Sequence, residues 1–439
     1  MMKYDMDYGD YNILVVSGFL FLFSLSLSLP LSPSLLSSLL SSTLSSLSFS
    51  LSFLSQSRPL AQSAMSLPLS GSTAICPTAI PRRLRPLSLV HNASGCWVKT
   101  KEFMDEIAAM GSSITTIVSK TCTLHAFDGH PTPNFYELGQ LSLNCKGMPN
   151  FGYAYYRDLW ADYTTQGLTY VLSVDGADVG ELRTMVVDYD AFLERAKGQA
   201  VSANEAVGEQ APIASGEERL ISRTSCDLEW VELNVSCPNK ASQQEQPRLL
   251  AYDPEALDCL LAMLRSLRLQ HIRFLIKLAP CTDRWLLAQV AQVLLHYHPD
   301  VVGGVVCSNS IPNAHSANIL SRPTAGISGL PTKLLSQSNL VQLRAEFARI
   351  AAAARRTGRS AADQHEDPIS PPMLLVGCGG VETSQDVLEY LHLGAHAVQV
   401  GRALHLEGRV KLLELHRQVT MAVEGRKESA AGQVKNAKL

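Results

Sequence analysis

Two lysines stand at or near the ends of short apolar runs in this sequence. Lys277 lies inside the run Arg273–Leu278, and Lys120 follows the run Thr115–Ser119. Burying a lysine among apolar residues is costly unless its ammonium group meets an anion or an electron-rich ring. A cation beside a flavin would stabilise the negative charge that the ring gains on reduction. A Schiff-base lysine and a lysine whose stem reaches solvent are the alternatives.

Cys237 follows another apolar run and precedes a proline, within the segment Asn-Val-Ser-Cys-Pro-Asn at 234–239. Near solvent, a thiolate at this position could act as a base or a nucleophile. Other cysteines, such as Cys307 and Cys378, are expected to be inert core residues. None of the ten cysteines falls in a C-x-x-C pair, so we predict no metal site and favour a reducing compartment.

Glycine turns follow two further runs, at Gly377-Cys378-Gly379-Gly380 and at Gly401-Arg402. Backbone N–H groups in such turns approach phosphate oxygens closely, and helix N-termini add positive potential. Tight turns without a ligand explain the glycines equally well. Because no G-x-G-x-x-G follows a strand, a dinucleotide site is disfavoured, and a mononucleotide such as FMN fits better.

These polar positions belong to a regular alternation of strand-like and helix-like segments. Strands separated by helices pair in parallel, and eight such units indicate a closed (β/α)8 TIM barrel, an α/β fold. The active site of such a barrel lies at the C-terminal ends of its strands, where most of these polar residues stand. The predicted strands are Leu87–His91, Thr115–Ser119, Thr169–Val174, Glu229–Val235, Arg273–Leu278, Val301–Cys307, Met373–Gly377 and Ala397–Gly401, and the predicted helices are Lys101–Met110, Val179–Lys197, Pro254–Leu267, Asp283–His296, Lys333–Arg355, Thr383–Leu393 and Leu404–Val423.

The remaining segments are interpreted by their composition. Residues 85–425 are assigned to the barrel, with a rim or lid at 121–168 and an exposed polar insertion at 198–223. Residues 1–70 are rich in Ser and Leu, and we interpret them first as a low-complexity tail and second as a membrane anchor or targeting segment. Residues 426–439 are expected to form a C-terminal tail.

The overall composition excludes two classes of protein. Lys and Arg number 37 against 40 Asp and Glu, a net charge of −3, which disfavours a nucleic-acid partner. Hydrophobic residues make up 46% of the 439 residues, which is enough for a large core and excludes disorder of the whole chain.

Taken together, these segments resemble the dihydroorotate dehydrogenases. Asn-Val-Ser-Cys-Pro-Asn at 234–239 is similar to the strand-four signature of the family, and Cys in place of Ser resembles the soluble, fumarate-linked class 1A. The similarity runs from about residue 88 to about residue 415 in the family's order. The other matching segments are Ser119–Thr123, Asp128–Pro131, Leu143–Asn150, Ala251–Asp253, Ile276–Lys277, Asn309–Ser310, Val376–Val381, Gln399–Gly401 and Glu407–Gly408.

The resemblance implies an FMN enzyme that oxidises (S)-dihydroorotate to orotate in pyrimidine synthesis, with fumarate as acceptor, in a cytoplasmic homodimer. Cys237 would take the proton from C5, and the flavin would take the hydride from C6. The implied substrate-binding residues are Lys120, Asn144, Gly147, Met148, Asn234, Asn239, Asn309 and Ser310. The implied cofactor-binding residues are Ala93, Ser94, Gly95, Lys120, Thr121, Asn234, Lys277, Gly326, Gly379, Gly380, Gly401 and Arg402.

Several residues depart from the family's pattern. The lid that usually reads Asn-Ser-Met-Gly-Leu-Pro-Asn has Cys145, Lys146 and Met148 in three of its positions, so Lys146 adds a charge near an anionic substrate. Arg402 replaces a threonine beside the phosphate, which could strengthen anion binding. A degenerate FMN barrel without turnover and a membrane-attached, quinone-linked form are the alternatives. Cys237 disfavours the second, because that class uses Ser as its base.

Overall fold

The computed structural model describes residues 84–111, 114–176, 178–207, 227–236, 249–357 and 373–436. Cys237 and Asn239 lie outside these residues. The predicted tail at 1–70 and most of the predicted insertion at 198–223 also lie outside them, whereas residues 198–207 continue a helix that begins at Val179.

Eight parallel strands form the main sheet, and all eight predicted strands are confirmed. The strands of the described residues are β1 Val90–Asn92, β2 Thr116–Val118, β3 Phe135–Leu138, β4 Leu141–Asn144, β5 Thr169–Asp175, β6 Glu229–Asn234, β7 Ile272–Lys277, β8 Val302–Val306, β9 Ile311–His315, β10 Thr324–Gly329, β11 Leu374–Cys378 and β12 Ala397–Val400. The order of the barrel strands is β1-β12-β11-β8-β7-β6-β5-β2, so the two ends of the sheet are β1 and β2.

Helices follow most of the barrel strands, as the alternation predicts. The helix predicted over Leu404–Val423 is interrupted at Gly408, whose φ of 67° favours glycine and ends one helix before the next begins. The helices are α1 Lys101–Ala108, α2 Tyr153–Asp158, α3 Trp160–Thr164, α4 Val179–Val207, α5 Pro254–Ser266, α6 Arg284–His296, α7 Leu330–Thr357, α8 Ser384–His392, α9 Arg402–Glu407 and α10 Arg409–Asn436.

An asparagine side chain joins the two ends of the sheet. The Asn92 amide donates to the carbonyl of Val118 at 2.6 Å and accepts from its N–H at 3.0 Å. These two bonds take the place of a strand ladder between β1 and β2. The parallel sheet is therefore a nearly closed (β/α)8 barrel, which confirms the predicted fold class.

The hydrophobic core has an inner and an outer cluster. Val118, Val171, Trp230 and Leu275 belong to the inner cluster, whereas the larger outer cluster joins the other faces of the strands to the helices. At Gly303 an added Cβ would lie 2.7 Å from the Trp230 ring, so glycine is required there. The filled interior positions the functional residues at the strand ends.

A second, four-stranded antiparallel sheet, β3-β4-β10-β9, accompanies the barrel. We call it the roof sheet. Its strands come from two long connections, one after β2 and one after β8. None of these four strands was predicted: the first connection was interpreted as a rim or lid at 121–168, which also contains α2 and α3. Within the described ranges, none of the helices is both long and apolar enough to cross a membrane.

Candidate active site

One cavity is lined by the C-terminal ends of the barrel strands and by the roof sheet. The barrel contributes residues at or just after β1, β2, β6, β7, β8, β11 and β12, and the roof sheet contributes residues of β3, β4 and β10. The predicted residues that line this cavity are Ala93, Ser94, Gly95, Lys120, Thr121, Asn144, Gly147, Met148, Asn234, Lys277, Asn309, Ser310, Gly379, Gly380, Gly401 and Arg402.

Gly326 is the one described member of the predicted set that does not line the cavity. It pairs with Asn144 in the roof sheet, and its carbonyl accepts from the Asn144 amide at 3.4 Å. An added Cβ would lie 2.7 Å from the Ser310 hydroxyl. Gly326 thus leaves room for two side chains that do line the cavity. Cys237 and Asn239 cannot be placed, because they lie outside the described residues.

A buried charge pair forms one part of the cavity floor. The Lys277 ammonium donates to Ser94 Oγ at 3.2 Å and to Gln399 Oε1 at 3.1 Å, and it lies 3.4 Å from Glu232 Oε1. Glu232 also accepts from Ser94, from the Ser173 hydroxyl at 3.0 Å and from the Gln399 amide at 2.7 Å.

These contacts explain the charge state of Glu232. Burial disfavours its charged form, but Lys277 and the hydrogen bonds outweigh burial and hold the pKa of this carboxyl below its usual value. The sequence analysis missed Glu232. The available signal was a carboxylate inside a fully buried strand, which requires a cation or several donors nearby.

Amide side chains form a linked wall beside this pair. Asn234 Oδ1 accepts from the Ser236 hydroxyl at 2.8 Å, and that hydroxyl accepts from the Asn309 amide at 3.0 Å. Asn309 Oδ1 in turn accepts from the N–H of Ser310 at 2.8 Å. These bonds fix the ends of β6 and β8 relative to each other, so the amides are oriented before any ligand binds.

The turn after β4 has an unusual backbone. Gly147 and Met148 both have positive φ, at 71° and 64°, and such a conformation is uncommon for a residue with a side chain. The His130 ring packs against Gly147, where an added Cβ would lie 2.8 Å from it. The Asn150 amide donates to the Met148 carbonyl at 3.0 Å and holds the turn. A strained turn that lines a cavity indicates a functional role.

Arg402 joins the roof sheet to the barrel. Its guanidinium pairs with Glu382, lies 3.0 Å from Glu137 and donates to the Gly139 carbonyl at 2.6 Å. The residue was predicted to bind a phosphate, and here two carboxylates accompany it. Its Nε is buried and has no hydrogen-bond partner in the described residues.

A second cation on the cavity wall has different surroundings. The Lys146 ammonium lies 3.3 Å from His405 Nε2 and 4.9 Å from the centre of the Phe135 ring. Burial and the nearby lysine lower the pKa of His405 to about 4, so its ring is neutral at pH 7 and Nε2 can accept from Lys146. The sequence analysis missed Phe135 and His405, and no local pattern marks them.

Two described cysteines near the site are poor nucleophiles. Burial raises the pKa of the Cys378 thiol, which lines the cavity, and raises that of the fully buried Cys307 further. Both therefore stay protonated at neutral pH. This agrees with the expectation that they are inert.

The fold and the site define this protein as a (β/α)8 barrel with a cavity lined by polar residues at the C-terminal ends of its strands. The sequence profile of the family described as dihydroorotate dehydrogenase matches residues 87–358 and 362–422. The chain belongs to the dihydroorotate dehydrogenase family, whose members are flavin-dependent oxidoreductases.

Individual relatives agree with this assignment. A curated relative from Streptococcus pyogenes serotype M1 is 29% identical over 322 residues, which cover 72% of this chain and 83% of the relative. Dihydroorotate dehydrogenase A (fumarate) of Lactococcus lactis subsp. cremoris (strain MG1363) is 27% identical over 324 residues, covering 72% of this chain and 84% of that protein.

A solved structure also has this fold. The crystal structure of DHODH in complex with ferulenol from Eimeria tenella superposes with a TM-score of 0.53 at 14% sequence identity. The superposition covers 77% of this chain and 82% of that one. At this identity the likeness shows the barrel fold alone.

Proposed function

We propose that this chain oxidises (S)-dihydroorotate to orotate in pyrimidine synthesis, with FMN as cofactor and fumarate as electron acceptor. The proposal depends on one observation. Lys120 and the amides of Asn144, Asn234 and Asn309 line the same cavity, which Lys277, the ion-pair partner of Glu232, also lines. A pyrimidine edge offers both donors and acceptors, which amide side chains match. The names of the relatives support the same reaction and acceptor.

Two features of the cavity fit FMN. Gly379 and Gly380 have φ values of 128° and 61°, and at Gly380 an added Cβ would lie 2.6 Å from the Lys333 side chain. A side chain at Gly380 would therefore clash, and the exposed backbone of this turn suits a phosphate held by N–H groups. Arg402 Nε, which has no hydrogen-bond partner among the described residues, offers a further donor to the cavity. Lys277 would lie at the ring, where a cation favours the reduced flavin.

FMN, when bound, would supply the two-electron chemistry by which a hydride from C6 of dihydroorotate passes on to fumarate. The chain's own residues position the substrate and move the proton. Cys237 directly follows Ser236, which is hydrogen-bonded within the amide wall. Its thiolate would take the C5 proton and later give it to fumarate, which leaves as succinate. Electrons and protons balance over the cycle.

The remaining residues bind and orient the ligands. The amides of Asn144, Asn234 and Asn309 would hold the pyrimidine edge, together with Ser310, and the backbone at Gly147 and Met148 would help from the roof side. Asn239 and Lys120 would complete the substrate site. Ala93, Ser94, Gly95, Thr121, Gly401 and Arg402 would hold the rest of the cofactor. The cytoplasmic location and the homodimer implied by the resemblance stay predictions.

The absorbance of the purified, flavin-loaded protein tests this function. Dihydroorotate should bleach the flavin without oxygen, and fumarate should restore the colour. A flavin that never bleaches contradicts the proposed activity and favours a degenerate barrel. If a quinone restores the flavin colour and fumarate does not, fumarate is not the electron acceptor.

A substitution tests the proposed base. Cys237→Ala should slow flavin reduction by dihydroorotate by about 10²- to 10⁴-fold, the usual contribution of a general base, while FMN stays bound. The matched control is Cys259→Ala, because Cys259 is an exposed free cysteine of α5. Equal reduction rates in the two variants would exclude Cys237 as the base.

A further inference from the structure

Lys146 lines the cavity but has no carboxylate within 4.0 Å among the residues that the structure describes. Its described partners are the neutral His405 imidazole and the Phe135 ring, which are themselves packed edge to face at 4.7 Å between centroids. Both orient the ammonium group without cancelling its charge.

The other cations of the cavity wall with described ion pairs differ in this respect. Lys277 is paired with Glu232, and Arg402 is paired with Glu382 and Glu137. Lys277 with Glu232 is formally neutral as a unit, and Arg402 with its two glutamates is formally negative, whereas the charge of Lys146 is not offset by a described carboxylate. A positive charge held on a partly enclosed wall favours a negative group of the bound ligand.

The position of Lys146 limits which ligand group it can meet. Asn144 and Lys146 are two residues apart and both line the cavity, and Gly147 and Met148 continue the same wall. These neighbours belong to the proposed substrate site. Dihydroorotate has one carboxylate, whereas fumarate has two. Lys146 is therefore placed to bind the carboxylate that fumarate has and dihydroorotate lacks.

We propose that Lys146, held by His405 and Phe135, binds the second carboxylate of a dicarboxylate electron acceptor. This inference rests on the proposed function, because it assigns a role within the same cavity. The lysine only binds: the hydride and the proton still add across the C=C bond of fumarate to give succinate. Lys146 thereby distinguishes dicarboxylates from monocarboxylates.

The test compares acceptors that differ in their number of carboxylates, each measured on wild type and variant. Protein whose flavin has been reduced with dithionite is mixed with fumarate, monomethyl fumarate or dimethyl fumarate, and reoxidation is followed by absorbance. Lys146→Met should lower the second-order rate with fumarate by about 10- to 100-fold, the range expected for a lost charged hydrogen bond. The rates with the two esters should change by less than about threefold, because neither ester presents a second carboxylate.

Two variants serve as controls. Lys99→Met removes another lysine that lies over a phenylalanine ring, at 4.8 Å from the centre of Phe151, but outside the cavity lining. It should leave all three rates unchanged. Lys146→Arg keeps the charge and should retain most of the preference for fumarate.

A binding measurement provides a readout independent of turnover. Succinate, which cannot oxidise the flavin, should perturb the absorbance of the oxidised protein, and Lys146→Met should raise its Kd by about the same 10- to 100-fold. Equal losses with all three acceptors, or no loss, would overturn the inference. Weaker FMN binding with an unchanged acceptor preference would instead assign the lysine to the phosphate and would also overturn it.

The test separates this inference from the proposed function. Because dithionite replaces dihydroorotate as reductant, the acceptor comparison can be made even if dihydroorotate fails to bleach the flavin. Failure of bleaching would contradict the dehydrogenase activity. Failure of the charge-dependent loss, with bleaching intact, would contradict only the role of Lys146.

Discussion

Strand β6 contains two buried glutamates, three positions apart, whose hydrogen-bond and ion-pair partners differ. Glu229 begins the strand and lies 2.9 Å from Arg85 and 3.1 Å from Lys197. Glu232 lies nearer the C-terminal end, where Lys277 and the hydroxyl and amide donors of the cavity floor surround it. Both side chains are fully buried. The same residue type therefore has different structural roles at the two ends of one barrel strand.

The difference lies in what each carboxylate holds in place. Glu229 ties the segment before β1, through Arg85, and helix α4, through Lys197, to the barrel, and its Oε2 has no described hydrogen-bond partner. Both oxygens of Glu232 accept hydrogen bonds, and its cation lines the cavity. We infer that Glu229 mainly stabilises the fold, whereas Glu232 mainly sets the charge at the cavity floor.

The largest effect on stability is expected at Glu229. Glu229→Gln leaves Arg85 and Lys197 buried without their carboxylate, and breaking a buried ion pair in this way typically costs about 3–5 kcal/mol. Urea unfolding at pH 7 measures the loss. The exposed Glu194 of α4 supplies a control, since Glu194→Gln should change stability by less than about 0.5 kcal/mol. A loss below about 1 kcal/mol for Glu229→Gln would show that the cluster contributes little to folding.

A pH-dependent effect is expected at His91, on β1. Its Nδ1 lies 3.0 Å from the Ser88 carbonyl, and burial lowers its pKa to about 4. Between pH 6.5 and about 4 the unfolded chain binds a proton that the folded chain does not, so stability falls as the pH is lowered through this window. The full shift corresponds to about 3 kcal/mol.

Urea unfolding at pH 7 and pH 4.5 measures this dependence. His91→Gln should be destabilised at pH 7, because a neutral buried group is disturbed, but it should lose less stability than the wild type on acidification. The lowered pKa of Glu232 produces a separate loss at lower pH, as the pH falls below the usual carboxyl value of 4.5 toward the folded value. An equal loss in variant and wild type between pH 7 and 4.5 would exclude His91 as the cause.

A smaller effect, on redox equilibrium, is expected at Glu232. Glu232→Gln removes the negative charge beside Lys277, so the reduced flavin should be favoured by about tenfold, which is about 30 mV for a two-electron couple. Lys277→Ala should shift the equilibrium in the opposite direction and weaken flavin binding. Equilibration with a reference dye measures both potentials. Shifts of the same sign, or none, would exclude the pair from the flavin site.

A feature of the fold or of the candidate site could be predicted from the sequence when neighbouring residues in the chain indicate it. The barrel strands are apolar runs between helices, and Lys277, Asn234 and the Gly379 turn stand out against them. The roof sheet gave no such signal, because β3 is mostly exposed and short. Its pairing also joins Asn144 to Gly326, which are 182 residues apart.

The electrostatics of the site were equally hard to predict. Glu232, Phe135 and His405 acquire their roles only through partners on distant elements, and a single sequence does not indicate those partners. Arg402 was predicted to bind a phosphate, but its pairing with Glu137 depends on how the β3–β4 hairpin packs on the barrel, and Glu382 approaches it from the loop after β11. Residue type at a strand end was predictable, whereas charge compensation was not.

The smallest effect on the free energy of unfolding is expected for an exposed ion pair on α1, which contrasts with the buried pairs of Glu229. Lys101 lies 2.8 Å from Asp105 one turn further along the helix, and both side chains are well exposed. Lys101→Met should cost less than about 0.5 kcal/mol, because water screens exposed pairs. In 1 M salt even this loss should disappear, whereas the loss caused by Glu229→Gln should persist, since buried charges are screened much less. A salt-insensitive loss above about 1 kcal/mol at Lys101 would mean that burial does not decide which of these ion pairs matter.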